Sequence, residues 1–155
     1  MSQDSVKIHR GLVGVYFDRT KTTYINGKEG ILEYCGYNIH DLAENSTFEE
    51  TAYLLLNGKL PNQSELDQFN TDLINSRSIS PKIIDIIRSI KDAHPMDVLR
   101  TSVSALSTFD EEAADKSYEA TMRKGIRLTS QVPTIVMAHN AIRNDKEPIQ
   151  PSKSL

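Results

Sequence analysis

The stretch "YINGKEGILEYCGYNIHDLAENSTFEETAYLLLNGKLPNQSEL", Tyr24 to Leu66, carries the change from strand to helix on which the fold turns. Its start continues a segment, Val13 to Tyr34, rich in β-branched and aromatic residues: Val13, Val15, Tyr16, Phe17, Thr20, Thr22, Thr23, Tyr24 and Ile25. Asn26-Gly27 and then Gly30 punctuate it, and an Asn-Gly step supplies the positive φ angles of a tight hairpin. The pattern predicts a small β-hairpin or a pair of short strands. Two or three strands alone are marginally stable, so they must lie against something helical. Further along, "STFEETAYLLLNG" sets Ser46 at capping-box distance before Glu49 and closes at Gly58, a good helix stop. Asn62 is placed to cap the next helix, with Leu66, Phe69, Leu73 and Ile74 on one face.

Outward from this stretch the pattern stays helical. "SPKIIDIIRSIKD" opens with Ser80-Pro81, a cap followed by proline in the first turn, and Ile83, Ile84, Ile86, Ile87 and Ile90 make a broad apolar stripe. "HPMDVLRTSVSALS" begins on Pro95 and repeats Met96, Leu99, Val103 and Leu106. The longest helical stretch runs from about Lys116 to Arg143 with Pro133 inside it. Proline removes a backbone donor and crowds the preceding turn, so the stretch reads as one kinked helix or two short ones. Residues 1–10 are polar and read as a disordered tail, and residues 144–155, with two prolines and no periodicity, as a connecting loop. The organisation is mainly α, with a small N-terminal β-hairpin.

Composition narrows the function classes. The chain has 155 residues, enough for one ordinary domain with a real core. A formal net charge of -3 and a pI of about 5.8 give no basic excess of the kind nucleic-acid binding requires. No apolar run approaches the roughly 20 residues needed to span a bilayer. The start, "MSQDSVKIHRGLVG", lacks the apolar core of a secretory signal. The single cysteine, Cys35, has no internal disulfide partner. Together these features point to a cytoplasmic protein that binds neither nucleic acid nor membrane.

A search for chemistry in the residues themselves returns little. The histidines are His9, His40, His94 and His139; no two stand at i, i+4, and none has a carboxylate or cysteine at metal-site spacing. Cys35 with His40 and Asp41 suggests a thiol and its base, but catalytic partners are usually distant in sequence. The plainer reading is a half-buried thiol beside a surface histidine. Gly27-Lys28 is followed by Glu29 rather than Ser or Thr, so "NGKEGILEYCGY" is not a phosphate loop. Glu49-Glu50 and Glu111-Glu112 read as acidic residues at helix starts, complementing the helix dipole. Arg123, Lys124 and Arg127 form a short basic patch on the last helix, read as a solvated face.

The opening stretch also resembles the N-terminal region of citrate synthases, in particular the shorter archaeal and bacterial type. That type carries a pattern close to I-D-G-x-x-G-x-L-x-Y-R-G-Y-x-I-x-D-L-A, whose positions are held here by Ile25, Asn26, Gly27, Gly30, Leu32, Tyr34, Cys35, Gly36, Tyr37, Ile39, Asp41, Leu42 and Ala43. F-E-E-x-A-Y-L-L-L-x-G-x-L-P is matched from Phe48 to Pro61. His94 to Ser107 is similar to the family's P-M-D-x-L-R-T-x-V-x-x-L segment, and "QVPTIVMAHNAIRNDKEPIQPSKSL" to the stretch before its substrate-binding half. Cys35 stands where arginine is usual and Asn26 where aspartate is usual, which puts local packing and salt bridging in doubt.

The resemblance implies part of the helical large domain of a citrate synthase. It implies a reaction in which acetyl-CoA is enolised and attacks oxaloacetate, with hydrolysis then releasing citrate and CoA. The parent enzyme would need no cofactor beyond acetyl-CoA as substrate, and would dimerise through helices resembling Met96–Leu106 and Lys116–Arg143. The family's catalytic histidines, aspartate and oxaloacetate-binding arginines belong to blocks not present in this chain. No catalytic, substrate-binding, cofactor-binding or metal residue is therefore assigned, and the isolated chain is expected to be inactive. The chain is expected to be the N-terminal portion of such an enzyme, with residues 144–155 leading towards a missing C-terminal half, on the same chain or on a separate one. A 2-methylcitrate synthase fragment, or a stand-alone helical dimerisation or regulatory module without catalysis, are the other expectations.

Overall fold

In the computed structural model, residues 9–16 and 18–152 are described. The disordered tail expected over residues 1–10 falls mostly outside them; His9 and Arg10 are described, and Arg10–Leu12 forms a 3-10 turn. The β-rich segment forms less strand than its composition promises. Strands β1 (Thr23–Asn26), β2 (Ile31–Tyr34) and β3 (Tyr37–Asn38) make an antiparallel sheet in the order β1-β2-β3. Val13 and Tyr16 lie outside the sheet, and Tyr16 is almost fully exposed.

The hairpin turns differ from the expected Asn-Gly turn. Asn26 pairs with Ile31, so residues 27–30 form the loop, and Gly30 rather than Gly27 takes positive φ. Asn26 instead caps the loop with its side chain. Its Oδ1 accepts the N–H groups of Lys28 (3.2 Å) and Glu29 (3.3 Å), and its Nδ2 donates to Glu29 Oε2 at 2.9 Å. The two-residue turn is the next one. Tyr34 faces Tyr37, and Cys35 (φ 50°) and Gly36 (φ 88°) between them are both left-handed, as a type I′ hairpin requires.

Six helices follow: α1 (Ile39–Asn45), α2 (Phe48–Asn57), α3 (Gln63–Asn75), α4 (Pro81–Ser89), α5 (Pro95–Leu106) and α6 (Tyr118–Arg143). Helix α1 is not expected from the apolar pattern; Asn38 caps it by accepting from the His40 N–H. The capping box of α2 sits one residue later than expected, between Thr47 and Glu50. Asn62 and Glu65 close a second box on α3, Ser80 caps α4, and Gly58 ends α2 in the left-handed region. The segment around Pro133 is neither split nor interrupted: α6 is a single helix of 26 residues.

Helix α6 is the central element and packs against α3, α4 and α5. The main core joins Ile83 and Ile87 of α4, Val98 of α5, and Ile135, Ala138 and Ile142 of α6. Each of these isoleucine and valine side chains contributes roughly 1.5–3 kcal/mol on burial. On α5, Leu99, Val103 and Leu106 pack against this core as expected, Val98 and Ser102 beside them are fully buried, and Met96 alone of the expected stripe is exposed, at 61%. At the other end of α6, Leu54, Phe69 and Leu73 are buried, and Tyr53 meets Phe69 edge-on at 5.4 Å. Gly125 lets α6 approach α2, because a Cβ there would stand 3.3 Å from Leu56 Cδ2.

Candidate functional site

The singled-out residues are scattered. His9 is exposed, with Nδ1 3.3 Å from the Val13 carbonyl. His40 is an exposed residue in the first turn of α1. His94 is the N-cap of α5, where Nδ1 accepts the Met96 N–H at 3.3 Å. His139 is buried, with Nε2 3.1 Å from the Lys91 carbonyl. A carbonyl only accepts, so Nε2 carries the proton, and the ring joins the end of α4 to α6. Among the described residues no three His, Cys, Asp or Glu side chains are gathered as a metal site would need. The Cys35 thiol points to backbone, 3.8 Å from Thr22 O and 3.7 Å from Leu54 O, and forms no pair with His40 or Asp41.

The expected solvated patch of Arg123, Lys124 and Arg127 is instead fully engaged, and Glu111-Glu112 are not at a helix start. They lie in a turn between a 3-10 turn (Ser107–Phe109) and α6. Arg127 donates from Nη2 to both Asp110 oxygens (2.9 and 2.8 Å) and from Nη1 to Glu112 Oε2 (2.8 Å). Arg123 donates from Nε and Nη2 to Glu112 Oε1 at 2.9 and 2.5 Å. Lys124 Nζ donates to the carbonyls of Glu112 and Asp115. This network walls a cleft of about 620 Å³, whose other side is lined by Val103, Leu106, Leu128 and Gln131.

The chemistry of the cleft follows from those bonds. The Arg123 and Arg127 guanidiniums hold the Glu112 carboxyl down to about 2, and Arg127 lowers that of Asp110. A general base works best with a pKa near the operating pH, and its lone pairs must be available. Glu112 and Asp110 meet neither condition. The network ties the chain together and does not resemble a proton-transfer pair. A second group of charges joins α4 and the residues just after it to the segment after α6: Arg88 to Glu147 at 2.5 Å and Lys91 to Asp145 at 2.7 Å. No helix among the described residues is long and apolar enough to cross a membrane.

Comparison with known proteins supplies what the side chains alone do not. A family model described as "Citrate synthase, C-terminal domain" matches residues 11–155. The chain is 41% identical to a citrate synthase of Deinococcus radiodurans, over 96% of this chain and 40% of that protein. It is 36% identical to a 2-methylcitrate synthase of Corynebacterium glutamicum, over 99% of this chain and 40% of that one. A crystal structure of citrate synthase from Pyrobaculum aerophilum superposes with a TM-score of 0.92 at 32% identity, covering 100% of this chain and 41% of the other. The chain thus spans about two-fifths of the length of the curated relatives it matches. With the sequence and the fold both matched along nearly its whole length, the chain belongs to the citrate synthase family.

Proposed function

We propose that this chain is the N-terminal, scaffold-forming part of a citrate synthase. The complete enzyme joins the methyl carbon of acetyl-CoA to the ketone carbon of oxaloacetate. Water then cleaves the thioester, releasing citrate and CoA, an acyl transfer at the entry to the tricarboxylic acid cycle. The observation that carries this reading is the superposition on all of this chain but only 41% of the Pyrobaculum enzyme. Such a reaction needs a base within hydrogen-bond reach of a weakly acidic C–H and a fixed donor at the developing oxyanion. The Asp110 and Glu112 carboxylates of the cleft are engaged by arginine, and no histidine lines it. The base, the donor and the oxaloacetate arginines are therefore assigned to residues outside this chain, and none within it is assigned a catalytic or substrate role.

The chain's own part is mechanical. Helices α4, α5 and α6 build a rigid core, and α5 and α6 present apolar side chains, among them Met96, Val136 and Met137, for pairing with a second copy. The active form is accordingly a cytoplasmic homodimer that uses acetyl-CoA as substrate and no further cofactor. The similar identity to a 2-methylcitrate synthase favours one second reading, in which propionyl-CoA replaces acetyl-CoA.

Two measurements test the assignment. Reading the gene past the codon for Leu155 is expected to reveal a histidine-rich helix and then a Gly-His-Arg block; unrelated sequence there overturns the reading. The purified 155-residue chain is expected to release no CoA from acetyl-CoA plus oxaloacetate in a thiol-detection assay. Oxaloacetate-dependent turnover by pure chain would place catalytic groups within it and sink the scaffold role.

A further inference from the structure

We propose that residues 110–117 form a latched strap that opens as a unit over the cleft between α5 and α6 while the helical bundle stays folded. The proposal goes beyond the citrate synthase reading and does not depend on it, because it rests on how this segment is attached. Its turn hydrogen bonds close on itself. The Ala113 N–H donates to the Asp110 carbonyl (3.0 Å) and the Asp115 N–H to the Glu112 carbonyl (2.9 Å). The Asp110 carboxylate accepts from the Glu112 N–H at 2.9 Å, and the Asp115 carboxylate from the Ser117 N–H at 2.8 Å. Nothing in the strap is buried: Glu111 and residues 113–117 are exposed, and Asp110 and Glu112 are half-buried.

What joins it to α6 is charge, beside the Ser117 cap at its C-terminal end, which accepts the Ala120 N–H at 3.3 Å. Asp110 and Glu112 accept five guanidinium hydrogen bonds from Arg123 and Arg127, and Lys124 grips the Glu112 and Asp115 carbonyls. Lifting the strap breaks these water-replaceable bonds but uncovers no buried apolar side chain. Unfolding the bundle instead exposes Ile83, Ile87, Val98 and Ile135, all fully buried. Segments held by few buried contacts open locally at a lower free energy than the whole protein unfolds. Beneath the strap, the half-buried Val103 and Leu106 gain exposure when it lifts.

Lys116, an exposed residue of the strap, gives the test a native cleavage point. Limited trypsin digestion, read by intact mass, is expected to cut the 116/117 bond before any bond inside α4 or α6. Glu112→Gln removes the partner shared by both arginines and is expected to speed that cut about tenfold, as does raising salt to about 0.5 M. Glu111→Gln, on the same strap but outside the network, is the control and is expected to leave the rate unchanged. Thermal melting of each variant separates local from global opening. An unchanged rate at Lys116 in Glu112→Gln overturns the proposal. So does acceleration by the same factor at Arg88 in α4, because that outcome reports unfolding of the whole bundle.

Discussion

Cys35 shows how much a single position can carry. With φ at 50° it occupies the first place of a type I′ turn, where a non-glycine L-residue costs about 1–2 kcal/mol. Its compensation is small: sulfur contacts of 3.8 and 3.7 Å to two carbonyls are weak hydrogen bonds. Asparagine tolerates this conformation better, so Cys35→Asn is expected to stabilise the chain by about 0.5–1 kcal/mol in a urea titration. Cys35→Arg, which restores the residue usual in the family pattern, is expected to be tolerated. The side chain lies near the Leu54 carbonyl in the last turn of α2, where a cation complements the helix dipole. Gly36, at φ 88°, is the opposite case, and Gly36→Ala is expected to cost about 1–2 kcal/mol. A lower urea midpoint for Cys35→Asn would mean that the thiol contacts outweigh the turn.

At the scale of elements, the close approach of α2 and α6 depends on Gly125. Alanine there gains about 0.5–1 kcal/mol of helix propensity, and its Cβ would meet the end of the half-buried Leu56 side chain at 3.3 Å. A terminal methyl can yield by a few tenths of an ångström, so Gly125→Ala is expected to raise the melting temperature slightly. Gly125→Leu cannot be accommodated and is expected to lower stability by about 1–3 kcal/mol. A drop for alanine as well would show that Leu56 is pinned. Capping chemistry made most helix ends legible: Ser80-Pro81, Pro95, Asn62 and Gly58 all work as their residue types suggest. Where two boxes overlapped, Ser46 with Glu49 and Thr47 with Glu50, local spacing could not choose between them, and the structure uses the second. Helix α1 has only seven residues, too few for a periodic apolar signal, and the buried Ser102 lies beside the apolar stripe of α5, where hydrophobic periodicity does not register it.

At the scale of the whole molecule, the charge network was visible in the sequence only as separate halves. Glu111-Glu112 and the basic residues of α6 read as independent helix-end and surface charges. The pairs that matter span 11 to 17 positions across an irregular strap, which no helical spacing encodes. Their joining has a consequence for stability against acid. The folded state holds the Glu112 carboxyl at about 2, down from 4.5, through Arg123 and then Arg127, and the Asp110 carboxyl is lowered by Arg127. The unfolded chain therefore binds more protons than the folded one in this window, and stability rises with pH there. The contribution is fully present above the ordinary carboxylate range and is lost as pH falls from about 4.5 towards about 2. Asp145, lowered by Lys91, and Glu65, lowered by Lys59, add to the same slope. Urea midpoints measured from neutral pH downwards are expected to fall across this window for the native chain. Glu112→Gln is expected to start lower at neutral pH, fall less steeply, and converge with the native chain as pH approaches 2. Two parallel curves would show that Glu112 titrates alike in the folded and unfolded states, and that the latch on α6 contributes nothing to folding.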